Sequence, residues 1–121
     1  MWHPPTPEET IRDIRTYCAQ LDEASNNSTR LGSLYAEARQ GYRTAHARAM
    51  LASVGKGTQR DRDARATLAV VDEQFNMELA EQKLKAARDH IASLRAQLSA
   101  AQSIGAWLRA EVNLGARTWG S

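Results

Sequence analysis

The sequence predicts an all-α protein folded as a long antiparallel helical hairpin, with two shorter helices packed along one very long helix. Between Thr58 and Leu114 there is no proline and a single glycine, Gly105. Through the second half of that stretch, apolar or small residues recur at Ala80, Leu84, Ala87, Ile91, Leu94, Leu98, Ala101, Gly105, Leu108 and Val112. Their spacing alternates between four and three, as a heptad seam does. Alanine, leucine, arginine, glutamine and glutamate dominate, aromatic residues make up 6%, and β-branched residues do not alternate with polar ones as strands would require. At about 1.5 Å per residue the long helix would extend roughly 80 Å, so something equally long must cover it.

A chain of 121 residues suits one domain, 1–121, and can bury a core without metal or disulfide support. The opening residues, Met1 to Pro5, are proline-rich and expected to be extended. Thr6 then caps a helix over 7–24. Pro7 suits its first position, Glu8 and Glu9 suit its positive end, and Thr6 with Glu9 has capping-box spacing. Ile11, Ile14, Cys18 and Leu21 form its apolar stripe. The run Ser25, Asn26, Asn27, Ser28, Thr29 predicts an interruption, because these side chains compete for backbone hydrogen bonds.

The second helix is expected over 28–54, with Leu31, Leu34, Ala38, Tyr42, Ala45, Ala49 and Ala52 facing inward. Gly55, Lys56 and Gly57 end it, and Thr58 with Asp61 starts the long helix, 58–114, as a second capping box. A tight tip at 55–58 would set position i of the outgoing arm opposite about 113 − i of the return arm. The first stripe of the long helix, Ala64, Leu68, Val71 and Phe75, does not run straight into Ala80, since Phe75 to Ala80 is five residues. That offset predicts local unwinding or a second contact face, on which the hairpin would dimerise into a bundle. Gly115 is the expected stop, followed by a short tail in which Trp119 either packs near Trp2 or anchors a partner.

The net charge of +2 is banded: −3 over residues 1–27, +5 over 28–66, −4 over 67–82 and +4 over 83–121. In the hairpin these bands alternate in sign across the seam, which favours the register. One cysteine, Cys18, rules out an intramolecular disulfide and reads as a core residue. His3, His46 and His90 are too dispersed to mark a metal site, and Gly55-Lys56-Gly57-Thr58 lacks the spacing and preceding strand of a phosphate loop. No nucleophile-base pattern or carboxylate pair appears, so no enzyme, cofactor, metal or small-molecule substrate is expected. The absence of a secretory start or a long apolar run predicts a soluble protein of the cytoplasm without membrane contact.

Two groups of residues are candidates for contact. Arg43, Arg48, Lys56, Arg60, Arg62 and Arg65 gather toward the tip, where they would meet nucleic-acid phosphates or an acidic protein. Phe75, Met77, Leu79, Trp107 and Trp119 are candidates for contact with a second copy or another protein. The runs Tyr42-Arg43-Thr44-Ala45, Gly55 to Ala64 and LRAQLSAAQSIGAWLRAEV (94–112) resemble small helical proteins encoded by phages and prophages, in early regions beside recombination and single-strand-binding functions. The resemblance covers residues 30–114 and carries over no functional residue. Members of that group mostly lack an assigned activity, and the absence of catalytic groups beside a long interaction surface predicts a non-enzymatic phage accessory protein of the host cytoplasm that acts by protein–protein interaction, with recombination or replication factors or a host target as partner. Two other readings are a sequence-independent DNA-binding accessory using the basic tip, and a structural or assembly component of the virion.

Overall fold

The structure, a computed structural model, describes residues 3–120, with side chains as far as residue 116. The protein is all-α, and its helices are α1 (Pro7–Ala52), α2 (Gln59–Ala69) and α3 (Val71–Gly120). The outgoing arm of the hairpin is therefore the unbroken one, and the return arm is divided. The single domain expected from length resolves into two compact units, a split unit of residues 1–26 and 89–121 and a tip unit of residues 27–88.

In the split unit α1 starts as its sequence dictates. The Thr6 amide donates to Glu9 Oε2 at 3.3 Å, and the Glu9 amide donates to Thr6 Oγ1 at 3.1 Å. This capping box satisfies two amides that the first turn leaves without helical partners. Buried Thr10 returns its hydroxyl to the Thr6 carbonyl at 3.0 Å. The inward positions continue at Ile14, Tyr17, Leu21 and Ala24. They face Ile91, Leu94, Leu98, Ala101, Gly105 and Leu108 of α3, the seam that heptad spacing predicts. A Cβ built on Gly105 would meet Thr10 Cγ2 at 3.6 Å, which fixes the antiparallel register of this unit. Cys18 and Ile11 are exposed, in contrast to the stripe expected for them, because the spacing that continues along α1 puts Tyr17 inward instead. Val112, expected on the seam, is also exposed.

No interruption occurs at 25–29. Ala24 and Ser28 extend the inward spacing, while Ser25, Asn26, Asn27 and Thr29 point outward and Asn27 Oδ1 accepts from Arg30 Nη2 at 2.9 Å. Poor helix formers cost at most about 0.7 kcal/mol each, and outward side chains leave the seam intact, so tertiary packing overrides propensity. Helix α3 likewise runs through Gly115, beyond the expected end at 114. Among the described residues only Gly55 and Gly57 adopt positive φ, so Gly115 does not take the left-handed conformation of a helix stop.

In the tip unit α1 continues inward at Leu31, Tyr35, Ala38, Tyr42, Ala45 and Ala49. Tyr35 replaces Leu34, which is exposed, and Ala52 is exposed as well. A Cβ on Gly32 would lie 4.0 Å from Leu84 Cδ1. Facing numbers thus sum to 116 here and to 115 in the split unit, rather than the expected 113, and the turn begins at Ser53 instead of Gly55. Ser53 is buried and donates to the Ala49 carbonyl at 3.0 Å, and the Lys56 amide closes on the Ser53 carbonyl at 3.1 Å.

The return arm of the tip unit departs most from expectation. Its inward residues are Arg62, Ala66, Val70, Glu73, Met77, Ala80, Leu84 and Ala87, whereas Ala64, Leu68, Val71 and Phe75 face outward. The two stripes belong to opposite faces of the same arm, which removes the offset at Ala80. Two successive steps of four, Arg62 to Ala66 and Ala66 to Val70, form a stutter within the heptad pattern. There the helix breaks: Val70 has φ −116 and ψ 22, and its carbonyl still accepts the Gln74 amide at 2.9 Å to begin α3. The adjacent β-branched Val70 and Val71 lower the cost of leaving helical geometry at this point.

Candidate functional site

In the split unit, α1 and α3 leave an open apolar groove of about 490 Å³. Ile11 and Ile14 form its α1 wall and Leu108 and Val112 its α3 wall, with Gln102, Arg109 and Asn113 supplying polar atoms at the edge. Gly105 contributes to the floor: without a side chain, it lets Thr10 approach and leaves the space beside it open. Ile11 is 51% exposed and Val112 62% exposed, while Ile14 and Leu108 are half-buried, so the outer residue of each wall lies largely in water. Heptad patterning identifies these residues as apolar but not as uncovered. The available signal was Pro7 and Ile11, which lead at steps of four and three into Ile14 on the seam.

The tip is shaped by its glycines and caps. Gly55 and Gly57 have φ of 77 and 84, and Thr58 Oγ1 accepts the Asp61 amide at 3.2 Å while Asp61 Oδ2 accepts the Thr58 amide at 3.3 Å. Two of the expected contact cations participate in this framework. Arg65 Nη1 donates to the Lys56 carbonyl at 3.3 Å, holding the turn to α2. Arg62 is half-buried and its Nη2 donates to Gln59 Oε1 at 2.8 Å, with Nε enclosed and without a hydrogen-bond partner. Lys56 and Arg60 are exposed at the turn, and Arg48 is exposed in the last part of α1. Arg43, also exposed, is nine residues before the end of α1 at Ala52, about 14 Å along the axis, so it is set back from the turn. The tip unit carries eleven cations against seven anions, a net charge of +4, and the split unit five against seven, a net charge of −2.

Of the residues expected to contact a partner, Phe75 and Leu79 lie on the outward stripe of the tip unit and Met77 is half-buried on its seam. Trp107 is 56% exposed in the split unit but does not line the groove. The Trp119 side chain and Trp2 lie outside the described residues, and so does the packing expected between them. Tyr42 and His46 stack at a centroid distance of 5.9 Å within α1. Among the described residues no three histidine, cysteine, aspartate or glutamate side chains gather as a metal site would need, and no helix is long and apolar enough to cross a membrane. No family model matches the chain, and neither a curated protein nor a solved structure matches it.

Proposed function

We propose that the chain is a non-enzymatic accessory protein that acts by holding another protein. In this reading the groove of the split unit takes the apolar side chains of one amphipathic helix of the partner. The observation that carries it is the open apolar groove lined by Ile11, Ile14, Leu108 and Val112, of which Ile11 and Val112 are more than half exposed. An amphipathic helix presents apolar side chains at spacings of three and four, and a groove between two helices receives them in series. The resemblance to phage-encoded early proteins directs the search to recombination or replication factors, or to a host target.

The test is direct binding. A helical segment from a protein that co-purifies with the chain should bind it in calorimetry. The double variant Ile11→Glu, Val112→Glu should weaken that binding at least about tenfold while helical circular dichroism is retained. Equal affinity for the variant, or substrate turnover by the purified chain, would remove this reading.

A second reading is favoured by the charge of the tip unit: exposed Lys56 and Arg60 at a turn in a unit of net charge +4 suit phosphate contact without base recognition. If this holds, duplexes of unrelated sequence should bind alike, and affinity should fall linearly on logarithmic axes as salt rises. The variant Lys56→Ala, Arg60→Ala should make that slope shallower by about two. Salt-independent binding, or an unchanged slope, would count against a phosphate-binding tip.

A further inference from the structure

We infer that a basic amphipathic helix of another protein packs on the outward stripe of α2 and α3 formed by Leu68, Val71, Phe75 and Leu79. One of its lysines or arginines sits over Phe75 and Leu79, beside Glu78 and Glu81. The stripe lies wholly within the tip unit and shares no residue with the groove, so the two readings stand or fall independently. Its four residues are between 43% and 74% exposed, while the opposite face of the same arm is turned inward against α1. Steps of three and four along the stripe match the spacing at which an amphipathic helix presents its own apolar side chains.

Charge on the flanks of the stripe selects the partner. The tip unit is cationic as a whole, yet four of its seven anions, Asp72, Glu73, Glu78 and Glu81, fall within ten consecutive residues of the return arm. No lysine or arginine lies between Arg65 and Lys83. Glu73 is half-buried on the seam, whereas Asp72, Glu78 and Glu81 are exposed. Asp72 and Glu78 stand three residues before and after Phe75, so at 3.6 residues per turn they border the stripe about 60° to either side. The cations of α1 at this level, Arg39 and Arg43, belong to the helix on the far side of the seam. A polyanion, which the basic turn would suit, is repelled from this face, and a cationic helix is attracted to it.

The face is also shaped to receive a cation. Phe75, Glu78, Leu79, Glu81 and Gln82 line an open depression of about 460 Å³. Glu78 is steadied by Gln74, whose Nε2 donates to Glu78 Oε1 at 3.3 Å. An aliphatic stem lying along Phe75 and Leu79 would bring its charged head to the two carboxylates, and the face of the Phe75 ring adds attraction for that charge. Cations return at Arg65 on one side and at Lys83 and Lys85 on the other. The matching helix therefore carries its basic residues over only about 14 Å, between neutral or acidic ends.

Calorimetric titration of the full chain with two synthetic helical peptides tests the proposal. Both have the same composition and carry leucine at steps of three and four. One has lysines and arginines beside the leucines of its middle turns and glutamates at its ends, and the other exchanges these charges. The first should bind at least about tenfold tighter than the second, and more weakly as salt rises. Glu78→Gln with Glu81→Gln should weaken the first peptide about three- to tenfold and make its salt dependence shallower. Phe75→Ser and Leu79→Ser, each at an exposed site, should weaken it at least about tenfold with helicity retained. Ile11→Glu, in the groove, should leave it unchanged. No binding of the first peptide at about 100 µM would overturn the proposal. So would equal affinity for the exchanged peptide, or an affinity that survives the stripe variants or is lost in the groove variant. Sedimentation equilibrium supplies the second measurement: a wild type that self-associates and that Phe75→Ser renders monomeric would give this face to a second copy instead.

Discussion

At Gly57 a methyl group would sit 3.0 Å from Asp61 Oδ2 and 3.3 Å from Asp61 Cβ, on a backbone with φ of 84. Gly55 has φ of 77 but open space around the same position. Alanine at either site meets the left-handed penalty of about 1–2 kcal/mol. At Gly57 it also displaces the carboxylate that completes the Thr58 capping box, adding about 0.5–2 kcal/mol. Gly57→Ala should therefore lower the urea-unfolding stability by more than Gly55→Ala, and equal losses would show that Asp61 moves aside without cost. Both capping boxes were legible in sequence, since Thr6 with Glu9 and Thr58 with Asp61 need only spacing and residue type. The positions of Cys18 and Ile11 were not. An apolar residue next to a seam position looks the same in sequence as one on it, and the choice between Tyr17 and Cys18 depends on a register that continues for about nine turns beyond them.

The continuity of α1 is the element-scale result. Asn26 lies inside the helix, where proline would remove an amide hydrogen bond and collide with the preceding turn, at a cost of about 3 kcal/mol or more. Asn26→Pro should thus unfold the chain or lower its stability by that amount in chemical denaturation. A loop at 25–29 would absorb the change with little loss, so a small effect would restore the interruption that the Ser-Asn-Asn-Ser-Thr run suggests. That run misleads because propensity is a local quantity and the seam is not. Thr10, Ile14, Tyr17, Leu21, Ala24, Ser28, Leu31, Tyr35, Ala38, Tyr42, Ala45 and Ala49 keep one spacing through it. The seam of α3 from Ala80 to Leu108 was legible because leucine and isoleucine mark it. The seam of α1 was less so because threonine, serine and tyrosine occupy several of its positions. The stutter at Val70 was legible only as an offset between two stripes, and its location required knowing which stripe faces α1.

Across the whole molecule, hydrophobic burial and charge make different demands, and stability should follow the first. Leu94 is 4% exposed, and Leu94→Ala leaves a gap at the α1 seam worth about 2–5 kcal/mol. The charged groups act over shorter range: Arg30 bonds to Asn27, Arg62 to Gln59, Asp63 to Gln59 and Glu78 to Gln74, all within a single helix turn. The bands of opposite sign read along the sequence also become weaker when assigned to units. Lys83, Lys85 and Arg88 belong to the tip unit, so the return segment 89–116 facing the acidic start of α1 holds two cations, Arg95 and Arg109, against two anions, Asp89 and Glu111. Exposed pairs of this kind contribute about 0–1 kcal/mol and are screened over a Debye length of about 10 Å at 0.1 M salt. Stability extrapolated from urea titrations should accordingly change by less than about 1 kcal/mol between low and high sodium chloride at fixed protein concentration. Leu94→Ala should lose several times that amount under both conditions. If salt instead removed as much stability as the Leu94 substitution, the charge bands would be setting the register, and the heptad seam would be secondary to them.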